Sequence, residues 1–260
     1  MDKFKTIEEY ILNFGFDLSS HDLDDVDITN IDLRDVKLPF DTELFQKVKN
    51  KSISKSLLPY SDFSKYNFEN VNVTGTVFSK NTILPRRKDL FKKMHKSDLY
   101  ETALPFIDMN LYDFTNVKIS KTIFACDSIL SEDINFFQKI YNKSVYYTSL
   151  PVGDYTRYNL KDICIVGCDF KEGSLLSYDF NFFQDVKDKC ALNAKLPIQV
   201  LSFLNLYNLE NVQIDLFKYN LNIIATIDIL KRYNDNEDID IPPMSLPIRR
   251  GAYVHIKNKP

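Results

Sequence analysis

Tryptophan is absent from this 260-residue chain, and glycine (6), histidine (3) and cysteine (4) are scarce. Each shortage excludes something. So few glycines rule out a collagen-like architecture, and no Gly-rich loop able to cradle a phosphate is present. Cys126, Cys164, Cys168 and Cys190 are too few for a disulfide scaffold in a chain of this length. No apolar run approaches the roughly 20 residues that cross a membrane, and no N-terminal apolar stretch leads to a small-residue cleavage site. A cytoplasmic protein is therefore expected, or one delivered into a host cytoplasm if it acts as an effector. The net charge of −3 gives no global pull toward phosphate backbones. His21, His95 and His255 lack zinc spacing and read as surface or edge residues. Cys164 and Cys168 are separated by three residues where a redox or zinc pair commonly has two, and are expected to be small core-lining residues. No cofactor, metal or catalytic residue is expected.

What is present is repetition. Leu-Pro recurs at Leu58-Pro59, Leu104-Pro105, Leu150-Pro151 and Leu196-Pro197, and Phe recurs at Phe45, Phe91, Phe137 and Phe183, every step being 46 residues. Inside one unit a finer period runs through Phe63, Phe68, Val73, Phe78 and Ile83, spaced by five. A five-residue period fits neither the 3.6 of a helix nor the 2 of a strand, but does fit short extended segments separated by corners. An inward residue at each fifth position must then be apolar. The corners favour Asp, Asn, Ser and Thr, which bond their own backbone.

The rhythm starts at Phe16, with Asp17-Leu18, Asp22-Leu23, Asp27-Ile28 and Asp32-Leu33. It resumes at Asp62-Phe63, Asp108-Met109 and Asp154-Tyr155, and a fifth, weaker block around Leu204, Leu209 and Ile214 is displaced by three residues. Between blocks, Leu44-Phe45-Val48, Leu90-Phe91-Met94, Phe136-Phe137-Ile140 and Phe182-Phe183-Val186 place apolar residues at i, i+1 and i+4. That spacing predicts a helix of two to four turns after each coil, ended by Leu-Pro. Phe4, Ile7, Tyr10, Ile11 and Phe14 predict an amphipathic N-terminal helix.

The Asp-then-aliphatic grammar resembles the pentapeptide-repeat family. That resemblance implies a square, right-handed β-helix in which four five-residue sides close one coil. Tyr66, Tyr112 and Tyr158 stand where that family has a small residue. The expected fold is an α+β repeat solenoid: a right-handed β-helix of pentapeptide-like coils, each followed by an α-helix, with a 46-residue period. Its expected parts are a capping helix over 1–15, a solenoid over 16–216 with five coils and four inserted helices, and a C-terminal capping helix and extended tail over 217–260.

Function is less legible than architecture. Asp22, Asp24 and Asp25 lie in an Asp-rich first coil, whereas Arg86, Arg87, Lys88, Lys92, Lys93 and Lys96 crowd the second inserted helix. Such runs are either solvated faces or a partner-binding surface. The leading expectation is a non-catalytic protein-binding scaffold or inhibitor with a protein partner, with the basic helices as a route to nucleic acid. A second is an acidic DNA mimic acting on gyrase or another DNA-binding protein, as the resemblance implies. A third is an enzyme with a site near Arg249, Arg250, Tyr253 and His255.

Overall fold

Corners come first, because the chain spends its Asp and Asn on them. In the computed structural model, which describes residues 4–197, 200 and 204–214, the side-chain oxygen before an apolar centre accepts the backbone N–H two residues on. Asp17 accepts from Ser19, Asp27 from Thr29, Asp62 from Ser64, Asn67 from Glu69, Asp108 from Asn110 and Asp154 from Thr156, all at 2.9–3.1 Å. This local bond bends the chain without help from any distant residue. Other corners pass through the left-handed region at recurring places: Asn70, Asn116 and Asp162 at one, Lys55, Glu101, Tyr147 and Asn193 at another. Asn and Asp bear that conformation at least cost among residues with a Cβ. Asn211 continues the first series three residues late, φ 56°.

Corners this frequent leave room for only one or two extended residues between them. Parallel pairing is accordingly reduced to isolated bridges: Leu57 with Val77, Val77 with Ala103, Ala103 with Ile123, Ile123 with Ser149, Ser149 with Asp169 and Asp169 with Lys195. Shorter and longer returns alternate along this chain of bridges, the longer ones enclosing an inserted helix. The chain thus comes back to the same wall twice in each repeating unit.

The expected α+β repeat solenoid, a right-handed β-helix of pentapeptide-like coils each followed by an α-helix, is overturned by these elements. Among the described residues, regular strand is confined to β1 (Cys190–Ala191) and β2 (Gln213–Ile214), paired in parallel. Only α1 (Ile7–Phe14) is longer than one turn. The inserted helices α2 (Leu44–Lys47), α3 (Leu90–Lys93), α4 (Phe136–Lys139) and α5 (Phe182–Asp185) have four residues each, not two to four turns. Each is cut by an extended residue, Val48, Met94, Ile140 or Val186 (ψ 154–159°), and two residues later by a left-handed one, Asn50, Lys96, Asn142 or Asp188. The i, i+1, i+4 pattern survives because that break returns the fifth residue to the interior. The expected helix over Phe217–Tyr233 and the tail beyond it lie outside the described residues.

α1 begins in a capping box. Thr6 accepts the Glu9 N–H, and the Glu9 carboxylate accepts the Thr6 N–H at 3.2 Å. It buries Ile7 and Tyr10 against the first winding.

The interior is aromatic and, in part, hydroxylic. Phe45 packs on Phe63 and Phe68 with ring centroids 5.4 and 5.0 Å apart, Phe91 on Phe114 at 4.9 Å, and Tyr155 on Phe170 at 5.3 Å. Ser56, Thr76, Thr102, Thr122 and Thr148 are also fully buried. Each donates its hydroxyl to a carbonyl of the preceding winding, those of Ile28, Ile53, Val73, Leu99 and Ile119, at 2.6–2.8 Å. Each such bond contributes about 1 kcal/mol net, and the carbonyls of Ile53, Val73, Leu99 and Ile119 also accept the N–H three residues ahead. Buried Cys168 follows Thr148 at the next place in this series.

Candidate functional site

The six basic residues singled out in the sequence do gather at the approach to α3, but half of them are engaged. Lys92 Nζ lies 3.1 Å from Asp113, Lys93 Nζ 3.3 Å from Glu69, and Arg87 Nε 3.5 Å from Asp89. These exposed pairs add little stability, of the order of 0–1 kcal/mol each. What they do is neutralise half of the stripe. Lys96 is exposed at a left-handed position, φ 55°, and Lys88 and Arg86 are exposed at the edges of two cavities.

The acidic first winding is likewise occupied by its own architecture. Asp22 accepts the Asp24 N–H at 2.9 Å, and its carbonyl accepts the Tyr10 hydroxyl of α1 at 2.9 Å. Asp25 is left-handed (φ 62°) and donates its N–H to the Lys47 carbonyl at 2.8 Å. Asp17 pairs with Lys37 and Asp32 with Arg34. The hydroxyl and N–H of Ser19 hold the Asp17 carboxyl down at about 2, and the Arg34 guanidinium does the same for Asp32. The acidic run is therefore a row of corners with local counter-charges.

A different surface stands out, one that sequence reasoning misses. Ile83, Ile129 and Leu175 are 44%, 48% and 41% exposed and occupy equivalent places, each bridged in parallel to an acid one winding back, Asp62, Asp108 and Asp154. The residue after Leu-Pro or its counterpart adds further exposed apolar groups: Phe40, Tyr60, Phe106, Val152 and Tyr178. Ile83, a member of the five-spaced apolar series, faces outward; its neighbour Leu84 takes the interior. The signal is in the sequence. Ile83-Leu84, Ile129-Leu130 and Leu175-Leu176 are adjacent apolar pairs where the five-residue grammar requires one inward residue, so the extra one must face out.

Two cavities open around Tyr112. One, of about 360 Å³, is lined by Lys88, Asp113, Phe136 and Lys139 among others. The other, of about 610 Å³, is lined by the exposed apolar group Ile83, Phe106, Leu111 and Ile129 together with Thr82, Arg86, Tyr112 and the Lys80–Asp127 ion pair (3.3 Å). The tyrosines at the recurring positions are buried and span windings. Tyr66 donates to the Pro39 carbonyl at 3.0 Å, Tyr158 to that of Ser131, and Tyr207, in the displaced block, to that of Ser177 at 2.8 Å.

Among the described residues no group of His, Cys, Asp and Glu is placed to hold a metal, and no helix is long and apolar enough to cross a membrane. Cys164 is half-buried and not core-lining, while Cys168 is fully buried, where desolvation pushes its thiol well up from the usual range. His21 is half-buried, 4.2 Å from the Phe14 ring centroid to centroid, rather than a plain surface residue. Arg249, Arg250, Tyr253 and His255 lie outside the described residues. Comparison with known proteins finds no family model that matches the chain and no curated protein similar to it.

Proposed function

We infer that this chain is a non-catalytic protein-binding scaffold or inhibitor, and that its contact surface is the exposed apolar column rather than the basic stripe. The observation that carries this reading is the repetition of Ile83, Ile129 and Leu175 at one place on successive units, outward-facing and accompanied by Tyr60, Phe106 and Val152. Exposed apolar groups repeated in this way are characteristic of interaction sites, with aromatic residues as anchors. The cationic groups near α3 are half neutralised within the fold, and the acidic ones serve its corners, which removes the main support for a nucleic-acid groove or a DNA mimic.

The test is a partner captured by affinity purification, then re-measured with purified components. Phe106→Ser/Ile129→Ser should weaken binding by tenfold or more, about the 1.4 kcal/mol or above expected of central apolar anchors. Lys92→Glu/Lys93→Glu should change it by less than about threefold, as rim charges do. Circular dichroism confirms the fold of each. The reverse ranking sinks the reading.

A further inference from the structure

Repetition makes a missing bond visible. Ser128 and Ser174 are buried and accept backbone N–H groups from 21 residues earlier, those of Ile107 at 3.1 Å and Gly153 at 3.3 Å. Thr82 holds the equivalent place in the preceding unit. Only 4% exposed, its hydroxyl has no partner. The tyrosine series breaks at the same unit: the Tyr66, Tyr158 and Tyr207 hydroxyls donate to carbonyls one winding back, whereas that of Tyr112 makes no such bond. Arg86, the third polar group without a partner, has neither an ion pair nor a hydrogen bond among the described residues. All three line the 610 Å³ cavity.

We propose that this cavity is a binding site for a small carboxylate carried on an apolar body, with Arg86, Tyr112 and Thr82 receiving the carboxylate and Ile83, Phe106, Leu111 and Ile129 covering the body. The volume lies within the range of ordinary small-molecule sites, which are mainly apolar with a few convergent polar groups. Its unengaged polar side chains are the Arg86 guanidinium, the Tyr112 and Thr82 hydroxyls and the Asn81 amide, all able to donate, so an acceptor of negative charge completes them. Of the acids lining the cavity, Asp127 is paired with Lys80, and Oδ1 of Asp108 accepts from the Asn110 backbone and side chain at 3.0 and 2.9 Å. Burial pushes the Tyr112 phenol up while the Arg86 charge pulls it down; the net shift is upward, so it stays protonated and able to donate. The site shares Ile83, Phe106 and Ile129 with the docking column, but its recognition groups Arg86, Tyr112 and Thr82 take no part in that reading.

The probe is 4-phenylbutanoate, with 4-phenylbutan-1-ol as its neutral counterpart, titrated into the full chain by calorimetry. Saturable binding is expected for the acid, at least about fivefold tighter than for the alcohol, since an Arg–carboxylate pair is the stronger bond. Arg86→Gln should weaken the acid by about tenfold and the alcohol by less than threefold. Tyr112→Phe and Thr82→Val should each weaken the acid several-fold, while Tyr158→Phe, at the equivalent place of Tyr112 one unit on, leaves it unchanged. Arg86 is exposed, so its replacement leaves the fold intact whatever the buried variants do. No saturable binding up to about 10 mM probe, equal affinity for acid and alcohol, or indifference to Arg86→Gln overturns the proposal.

Discussion

Two successive units place hydroxyls at the same positions and treat them differently. In one, Ser128 receives the Ile107 N–H and Tyr158 reaches the Ser131 carbonyl; in the unit before it, Thr82 and Tyr112 complete neither bond. The backbone is alike, with equivalent bridges at Asp62–Ile83 and Asp108–Ile129. The difference therefore lies in side chains and not in the winding. An unsatisfied buried polar group costs about 1–3 kcal/mol, which a repeating chain could have avoided by repeating itself. Where it does not, the open unit borders a cavity roomy enough for water or a ligand.

The contrast between closed and open places can be broken by mutation. The largest effect belongs to the closed aromatic side: Phe91→Ala and Phe137→Ala should each cost about 3–5 kcal/mol in urea unfolding. Phe106→Ala, on the open face, should cost less than about 1 kcal/mol. Next comes the hydroxyl ladder. Thr122→Val removes the hydroxyl bond to the Leu99 carbonyl, which keeps the Thr102 N–H, and should cost about 1 kcal/mol, whereas Thr82→Val removes an unsatisfied group and should be neutral or stabilising. Equal losses would show that Thr82 is bonded in solution.

Smaller still is the tyrosine series. Tyr66→Phe should cost about 1 kcal/mol through the lost bond to Pro39, and Tyr112→Phe close to nothing. The smallest effect is on pH dependence. Asp113, beside the smaller cavity, is lowered from the usual 3.8 to about 2, first by the Thr115 hydroxyl and with help from Lys92. A carboxyl depressed in the folded state stabilises fully above its unfolded value and loses that contribution as pH falls through the folded value. Thermal midpoints should thus drop between pH 4 and 2, with Asp113→Asn removing about 0.5 kcal/mol of that dependence, solvent screening at this partly exposed carboxylate reducing the effect. A midpoint flat across that window would contradict it.

Much of the local design is legible in the order of residues. Asp before an apolar centre announces a corner, and Asp27, Asp62 and Asp154 do close corners on the N–H two residues ahead. Phe4 to Phe14 announce a helix, and α1 is there. Apolar spacing overstates the inserted helices, because Phe91 and Met94 satisfy it even though the chain leaves the helix between them. Charge clusters are overstated too. Glu69 and Asp113, which neutralise Lys93 and Lys92, stand 24 and 21 residues away, beyond any window in which a run of lysines is noticed.

The amino-acid order alone determines what depends on a few neighbouring residues: the five-residue corner, the longer repeat that carries it, the inward apolar residue at each centre. Tertiary structure decides what depends on residues one winding apart. That includes the reduction of strands to single bridges, the pairing of the basic stripe, the outward column of Ile83, Ile129 and Leu175, and the hydroxyls that find a carbonyl. The reason is the geometry of the bonds. A corner bond spans two residues and is made by any Asp with a free N–H ahead of it. The Ser128, Thr122 and Tyr158 bonds span 21, 23 and 27 residues and exist only when two separate windings settle in register. At Thr82, Tyr112 and Arg86 the windings are in place and the partners are not, and it is the fold that opens a cavity there.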